Sequence, residues 1–232
     1  MDRRTFVKTI PALALMAGTS SAFAEELQPI VLPKPEKDGG KSVLAALWKR
    51  KTIREIKEDK LPPQILSNLL WAAFGVNREA GPMAPGRTAA SASNSQEIDL
   101  YVALPEGMYL YEAAAHRLAP VVAGDLRVKL SKPGRRSAAV AKAPVSMIFV
   151  ADVAKYAQAR FQEPGLKDPE VQKSYYYVAT GLIASNVYLF AASQGLAAWF
   201  HNCNKPELTA VLKLRPEQRV LFAQTVGYPA KG

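Results

Sequence analysis

Apolar residues recur at helical spacing in two stretches of the first third of the chain. One helix is predicted near residues 42–49, and a second opens at the proline pair Pro62 and Pro63. Residues three and four positions apart share a helix face, so each stretch has an apolar side that packs against other elements. The first face has Val43, Leu44, Leu47 and Trp48, and the second has Ile65, Leu66, Leu69, Leu70 and Ala73.

A longer helical pattern begins behind Asp168 and continues to Gly195. Asp168 is placed to cap the first turn, Pro169 is tolerated within that turn, and Gly195 stops the helix. Apolar residues lie on more than one of its faces, which predicts a central, buried helix. One domain of this size does not readily cover such a helix, so a second subunit is its expected partner. The sequence therefore predicts a homodimer.

Other apolar runs have the spacing and length of strands. Ile98–Leu104 and residues 108–112 are joined by a Pro-Glu-Gly turn and form a predicted hairpin. Residues 145–151 are almost wholly apolar, which predicts a strand inside a sheet. Two further strands are predicted at Ala197–His201 and 220–226, with a short helix around 206–214 between them. Because hairpin and helices stand in separate blocks, the fold class is expected to be an α+β sandwich.

The first 24 residues have the features of a twin-arginine export signal. Arg3 and Arg4 lie in a charged stretch, an apolar run follows over residues 10–17, and Ala22-Phe23-Ala24 fits a cleavage site. That run is too short to span a bilayer, so no stable membrane anchor is expected after cleavage. The protein is therefore expected to be periplasmic or otherwise exported. An ordinary secretory signal with a chance arginine pair is the alternative.

Cleavage after residue 24 leaves a chain with the length of one domain. Residues 25–40 are rich in Pro, Lys and Gly and lack periodicity, which predicts a flexible leader before a domain over 41–232. The twin-arginine route carries proteins that have already folded, often after a cofactor has been loaded. The signal thus favours an enzyme with a bound cofactor.

Composition narrows the range of partners. The net charge of +10 is spread without long basic runs, so nucleic acid is not an expected partner. A net positive charge fits an anionic ligand such as a phosphate, although in most proteins it reflects only a solvated surface. The chain has two histidines and one cysteine, Cys203, too few of these ligands to build a metal centre. No metal is expected.

A first candidate site segment lies at the end of the first predicted helix. It contains Arg50, Lys51, Thr52 and Arg54, which are three cations and a hydroxyl within five residues. Such groups supply charge-assisted and bidentate donors suited to a phosphate. The alternative is that these cations only complement the dipole at the C-terminus of the helix.

A second candidate segment is a polar loop before the predicted hairpin. Its hydroxyl and amide groups belong to Ser91, Ser93, Asn94 and Gln96. These groups both donate and accept hydrogen bonds, so the loop can follow the edge of a polar planar ligand. A solvent-exposed turn is the alternative.

Two further segments lie near the C-terminus. In residues 197–202, apolar and aromatic side chains precede turning backbone, whose N–H groups suit a ring nitrogen of a ligand. His201 in this segment is a candidate general acid, with a packed imidazole as the alternative, and Asn202 follows it. The last segment is Gly-Tyr-Pro-Ala-Lys, ending in Lys231.

Taken in order, the four segments resemble the nitroreductase-like superfamily of FMN-dependent oxidoreductases, over nearly the whole mature chain. The helix into a Gly-Leu signature corresponds to residues 181–196, and the final strand into Gly-Tyr-Pro to residues 220–229. The short ending and the Tyr-Leu-Tyr hairpin resemble the azoline-oxidase-like dehydrogenase branch. The family's R-x-S-x-R/K stretch is matched by Arg50, Lys51, Thr52 and Arg54, and its A-P-S-x-x-N-x-Q loop by Ala89, Ala90, Ser91, Asn94 and Gln96.

The resemblance implies a central, mostly antiparallel sheet sandwiched by helices, with one FMN in a cleft between two subunits. Arg50 and Thr52 would hold the phosphate together with Lys231, and Arg54 would approach the pyrimidine edge of the flavin. The loop containing Ser91, Ser93 and Asn94 would come from the partner subunit.

The resemblance also implies an activity. Backbone near His201 and Asn202 would face flavin N5, the atom that exchanges hydride with a small organic substrate. The substrate, the electron donor or acceptor and the direction of transfer are left open by the sequence. A secreted ligand- or flavin-binding protein of the same fold, without redox turnover, is the alternative function.

Overall fold

Nine strands and five α-helices make up the regular structure of residues 26–134 and 137–230, the part of the chain that the computed structural model describes. The proposed export signal and Lys231 lie outside these ranges. The helices are α1 (Val43–Lys49), α2 (Pro63–Phe74), α3 (Ser137–Lys142), α4 (Pro169–Gln194) and α5 (Lys205–Val211). The strands are β1 (Ile30–Val31), β2 (Val76–Arg78), β3 (Gly86–Arg87), β4 (Ile98–Leu104), β5 (Gly107–Glu112), β6 (Arg117–Ala123), β7 (Val145–Asp152), β8 (Ala197–His201) and β9 (Gln218–Gly227).

Seven of these strands form one antiparallel sheet in the order β1-β6-β5-β4-β7-β9-β8. β2 and β3 form a separate pair. The predicted hairpin corresponds to β4 and β5, and the predicted apolar strand to β7, whose residues are all buried. β1 and β8 are the two edges of the large sheet, and the second of these edges carries the candidate site.

Helices cover both faces of the sheet. Successive side chains of a strand point to opposite faces, so in β4 Leu100 and Val102 join one hydrophobic core, and Tyr101 and Ala103 join the other. Residues of α2 and α4 pack in the first core, whereas Val140 of α3 and other residues near the C-terminus pack in the second. This arrangement confirms the predicted α+β class with a helix-covered antiparallel sheet.

α4 begins and ends where the sequence predicts. The Asp168 carboxylate accepts hydrogen bonds from the backbone N–H groups of Glu170, at 2.8 Å, and Val171, at 3.4 Å. Gly195 ends the helix in the left-handed conformation, with a φ of +73°. Its burial is one-sided, however, because Val178 and Leu182 are 61% and 42% exposed in the single chain. The prediction of a wholly buried helix is therefore wrong for one chain taken alone.

α1 likewise leaves its apolar face uncovered. Val43, Leu44, Leu47 and Trp48 are 67%, 72%, 52% and 91% exposed, and only Ala46 of this helix is buried. The predicted helix is present, but within the described chain these four side chains remain largely exposed. An apolar face of this kind indicates a surface that is covered by another molecule.

The flexible leader predicted over residues 25–40 is wrong for its central part. Ile30 and Val31 form β1 and pair with β6, and Leu32 is buried. Further on, the Glu36 N–H donates to the Asn68 side-chain oxygen at 2.9 Å. Prolines suppress periodicity in this stretch, yet an edge strand tolerates them because part of its backbone needs no partner. Residues 30–36 therefore lie along the sheet edge.

Candidate active site

Residues 50–56 run along the outer edge of β8. The Ile53 N–H donates to the Ala198 carbonyl at 3.0 Å, and Ile56 forms a bridge with Pro229. α1 ends at Lys49, so the cationic segment starts where helical hydrogen bonding stops. This position brings the first, third and fourth sequence segments together at one edge of the sheet.

Tyr188 of α4 organises the start of this segment. The Phe200 N–H donates to the Tyr188 hydroxyl at 2.9 Å, and that hydroxyl lies 3.1 Å from Oγ1 of Thr52. If Tyr188 donates to Thr52, both hydroxyls are satisfied and the Thr52 O–H remains available to an anion. The Arg50 guanidinium lies 5.4 Å from the centroid of the Tyr188 ring, within the range of a cation–π contact.

The cations of the segment are not neutralised by carboxylates. Within the described ranges, no ion pair is formed by Arg50, Lys51 or Arg54, whereas Lys129 and Lys142 pair with Glu207 and Glu58. The Arg54 guanidinium lies 5.9 Å from the Trp199 ring centroid instead. Three cations without ion-pair partners in the described ranges, beside the Thr52 hydroxyl, supply donors of the kind that suit a phosphate.

A cavity of about 510 Å³ adjoins this edge at the end of β8. Trp199 forms part of its wall and also lies under Arg54, so the cationic segment and the cavity are neighbours. The rings of Trp199 and His201 lie against each other, with centroids 4.5 Å apart. The cavity is lined by Ser131, Lys132, Gly134, Ser137, Val140, Trp199, His201, Asn202 and Cys203.

The imidazole of His201 is held at both nitrogens. Nδ1 lies 2.8 Å from the Asn202 carbonyl, which can only accept, so Nδ1 carries the proton in the neutral ring. Nε2 lies 2.8 Å from the Thr225 hydroxyl, which in turn lies 3.2 Å from that of Ser146. Burial lowers the pKa of His201. The ring is therefore better suited to fixing the turning backbone than to acting as the predicted general acid.

The polar loop at Ser91 lies at the opposite end of the sheet. Ile98, just after the loop, is opposite Ala151, whereas Val145 is level with Ala198 through β9. Six residues of β7 separate these two levels, which is about 20 Å along the strand. Within one chain, the second predicted segment is therefore not brought to the site formed by the other three.

Hydrogen bonds within that loop fix its conformation. Ser93, Asn94 and Gln96 all have φ near +50°, a strained value for residues other than glycine. The Gln96 side chain accepts from Arg87 at 2.7 Å and donates to Asn94 at 3.0 Å, and the Gln96 N–H donates to the Ser91 hydroxyl at 3.0 Å. The amides of Asn94 and Gln96 thus shape the loop, while the Ser93 hydroxyl has no partner in the described chain.

Some residues of the site were missed by sequence reasoning. Tyr188 lies among apolar residues of a long helix, where a tyrosine is normally interpreted as part of the hydrophobic core. Thr225 gave a usable signal, because it and Gln224 interrupt an otherwise apolar strand with fully buried polar groups. Ser131 and Lys132 fall in a segment without a recognisable motif, and no signal in the sequence singles them out.

The described ranges contain no group of three or more His, Cys, Asp and Glu residues placed to hold a metal ion. Burial raises the pKa of Cys203 to about 11, so its side chain is a neutral thiol near neutral pH. The same ranges also contain no helix long and apolar enough to cross a bilayer.

The antiparallel sheet, its two helical layers and the cationic edge beside a cavity define a protein of the nitroreductase fold class. The family model described as Nitroreductase family matches residues 47–228, which is well over half of the chain. The chain belongs to the Nitroreductase family. Membership makes it an oxidoreductase of a family that is commonly flavin-dependent.

Relatives with names or structures agree with this assignment. A structure described as a "putative nitroreductase" from Ralstonia eutropha JMP134 is 34% identical, with a TM-score of 0.75, and the match covers 88% of this chain and 90% of that one. "Putative nitroreductase MJ1384" of Methanocaldococcus jannaschii is 27% identical over 73% of this chain and 83% of its own length. A nitroreductase family protein from Streptococcus pneumoniae TIGR4, 19% identical over 82% of this chain and 92% of that one, shares the fold with a TM-score of 0.58.

Proposed function

We propose that the protein is an exported, homodimeric oxidoreductase that uses FMN to transfer hydride to or from a small organic substrate. The observation that carries the proposal is the edge of β8, where Arg50, Lys51 and Arg54 have no ion-pair partner in the described ranges. Cations this close together repel one another, so an anionic ligand bound among them would be stabilised. The cavity beside them gives that ligand room for a ring.

The residues present fit FMN in both charge and shape. Arg50 and the Thr52 hydroxyl would hold the phosphate, with Lys51 adding charge and Lys231 as a further candidate. Arg54, which lies over Trp199, would approach the pyrimidine edge of the flavin. FMN, when bound, supplies a ring that accepts and returns hydride equivalents.

Backbone at the end of β8 would orient the reacting part of the ring. The His201 Nδ1–H bond to the Asn202 carbonyl fixes the turn, and the Thr225 hydroxyl fixes the imidazole in return. This turn would present its N–H groups toward flavin N5, while Trp199 excludes water from one side of the cavity. His201 then acts by holding the backbone in place.

A second subunit would complete the site. The exposed apolar faces of α1 and α4 offer a large surface for pairing, and these two helices contact each other. The rigid loop containing Ser91, Ser93 and Asn94 lies about 20 Å along the sheet from its own chain's site, so it is free to reach the partner's flavin. Flavin binding and dimer formation would then strengthen each other.

The export signal bears on the electron partner. Nicotinamide dinucleotides are scarce outside the cytoplasm, so another donor or acceptor is expected for an exported enzyme. Resemblance of the Tyr-Leu-Tyr hairpin to the azoline-oxidase-like branch favours a dehydrogenase over a nitro-reducing role.

The cofactor is tested by releasing it with heat from purified protein and identifying it by chromatography. We expect FMN at about one equivalent per chain; FAD, or no flavin after expression with riboflavin, contradicts the proposal. Bound FMN that is reduced by light but is not reoxidised by any small acceptor supports the alternative, a binding protein without turnover.

The dimer is tested by sedimentation of the wild type and of Trp48→Glu, which places a charge on the exposed face of α1. We expect a wild-type dimer and a variant that is monomeric and binds FMN more weakly. Lys57→Glu, on an exposed residue away from that face, is the matched control and should remain dimeric. A wild-type monomer that binds FMN stoichiometrically excludes a shared site.

A further inference from the structure

We propose that Arg87 is a positioning residue for the flavin of the partner subunit. It acts through the side chains of Gln96 and Asn94 and does not touch the cofactor. This inference rests on the proposed function, because that function brings the loop containing Ser91, Ser93 and Asn94 to the partner's flavin.

Arg87 is a half-buried cation that anchors this loop to the end of α2. It forms no ion pair within the described ranges, and burial lowers the pKa of its guanidinium. Its Nε–H donates to Oε1 of Gln96 at 2.7 Å, and its Nη1 donates to the Phe74 carbonyl at 3.2 Å. The guanidinium also lies 5.0 Å from the centroid of the Phe74 ring. Because α2 has no basic residue in its last turn, Arg87 supplies the cation that favours this helix end.

A chain of oriented amides begins at Arg87. A guanidinium can only donate, so Gln96 faces it with its carbonyl oxygen. The amide nitrogen of Gln96 then donates to the Pro85 carbonyl at 2.6 Å and to Oδ1 of Asn94 at 3.0 Å. Asn94 in turn donates through Nδ2 to the carbonyls of Met83, at 3.2 Å, and Pro85, at 3.4 Å. With a donor at one end and carbonyls at the other, both amides have a single orientation.

The loop needs such an anchor because its backbone is strained. Ser93, Asn94 and Gln96 have φ values of 48°, 53° and 50°, and residues at such angles persist only where their surroundings fix them. Lys155 provides a second tether, since its Nζ lies 3.3 Å from the Gln96 carbonyl. The charge of Lys155 is balanced by Asp99, whereas that of Arg87 has no such partner in the described ranges. Gln96 is thus held at its side chain by Arg87 and at its backbone by Lys155.

A loop held in one conformation loses little freedom when a ligand binds against it, so its anchor raises affinity without a contact. Flavin binding is therefore compared in Arg87→Gln, Arg87→Lys and the matched control Arg78→Gln. Arg78 is an exposed arginine of the neighbouring strand β2. Arg87→Gln should weaken FMN binding about tenfold and change the circular dichroism of the bound flavin. Arg87→Lys keeps a cation that can only donate and should recover part of the affinity, and Arg78→Gln should change neither property.

A mixed dimer tests whether Arg87 acts across the subunit boundary. One subunit carries Arg87→Gln, the other carries Arg50→Ala, and two different affinity tags isolate the pair. If the loop serves the partner's flavin, both defects fall in one site and the second site is intact. We then expect about half an equivalent of FMN per chain to bind with wild-type affinity. A loop that served its own chain would leave one defect in each site, so that no site would bind normally.

Several outcomes overturn the inference. Unchanged FMN affinity and circular dichroism in Arg87→Gln exclude a positioning role, and an equal loss in Arg78→Gln assigns the effect to surface charge. A mixed dimer without a normal site excludes action on the partner. If Arg87→Gln does not fold, Gln96→Met replaces it with the same expectations, because methionine cannot pass the hydrogen bonds from Arg87 to Asn94. Failure of the proposed function is a separate result, since the wild type would then lack FMN or be a monomer.

Discussion

The two edges of the central sheet are built in opposite ways. At the β1 edge, the Ser67 hydroxyl donates to the Pro33 carbonyl and lies 2.7 Å from Nε2 of His116, whose Nδ1 lies 3.0 Å from the Tyr111 hydroxyl. Polar groups there satisfy one another. At the β8 edge, Arg50, Lys51 and Arg54 have no ion-pair partner within the described chain, and the buried Ser131 hydroxyl has no hydrogen-bond partner there. We call the β1 edge, whose polar groups bond one another, the closed edge, and the β8 edge the open edge. The bonds of the closed edge stabilise the fold, whereas a ligand is expected at the open edge.

The largest effect on stability is expected at the closed edge, from Ser67→Ala. Ser67 is fully buried, and its removal takes away the hydroxyl that bonds the Pro33 carbonyl and lies beside Nε2 of His116. Losing both contacts should lower the free energy of unfolding by about 3 kcal/mol. Urea unfolding measures this loss, and FMN affinity should stay the same. A loss below about 1 kcal/mol would mean that water replaces the hydroxyl.

The next effect is expected at the open edge, from Arg50→Ala. One charge-assisted contact to the FMN phosphate would be removed, which should weaken flavin binding by about 1.5–3 kcal/mol. Stability of the apoprotein should not fall, because Arg50 forms no ion pair within the described chain. Fluorescence titration with FMN provides the measurement, with Lys57→Ala as a matched loss of one exposed cation. Unchanged affinity would remove Arg50 from the site.

Stability should depend on pH at both edges of the sheet. Burial lowers the pKa of His116 at the β1 edge and of His201 at the β8 edge. Each ring is protonated more readily in the unfolded chain, so the unfolded state binds more protons at mildly acidic pH. The stability that the neutral rings contribute is complete above the unfolded pKa, near 6.5, and is lost as the pH falls from there toward the folded values.

Urea unfolding at pH 8, 7, 6 and 5.5 tests this dependence. Each of His116→Gln and His201→Gln should reduce the slope of unfolding free energy against pH. A slope that is unchanged in both variants would assign the pH dependence to carboxylates instead.

Sequence reasoning succeeded where signals are local and failed where pairing is distant. The caps and apolar rows of α4 and the hairpin turn lie within short stretches, so those elements were predicted correctly. β1 was missed because it pairs with β6 through residues more than 80 positions apart, such as Ile30 and Leu118. β6 also forms a local hairpin with β5, and it was missed because few of its side chains are buried.

The candidate site also has features that are visible in the sequence and features that depend on packing between distant elements. Clusters of cations and hydroxyls at Arg50 and Ser91 are visible in the sequence, and the order of the segments predicted one family. Which of them share an edge is decided by strand register, which the sequence does not state. Likewise, Tyr188 contributes to the site only because α4 crosses behind β8, so its role becomes visible once the two elements are packed.

The smallest effect on stability is expected from Thr225→Val. This variant perturbs His201 and leaves His116 unchanged, and the two histidines are expected to be different tautomers. The Ser67 O–H is donated to a carbonyl, so His116 is expected to carry its proton on Nε2, whereas His201 carries its proton on Nδ1. Loss of the Thr225 donor removes a bond that favours neutral His201, so the pKa of His201 should rise and stability should fall by about 1 kcal/mol. A ¹H–¹⁵N imidazole spectrum has only these two histidines to resolve, and His116 serves as the internal control. Thr225→Ser should restore the wild-type spectrum; if Thr225→Val also leaves it unchanged, His201 is held by the Asn202 carbonyl alone.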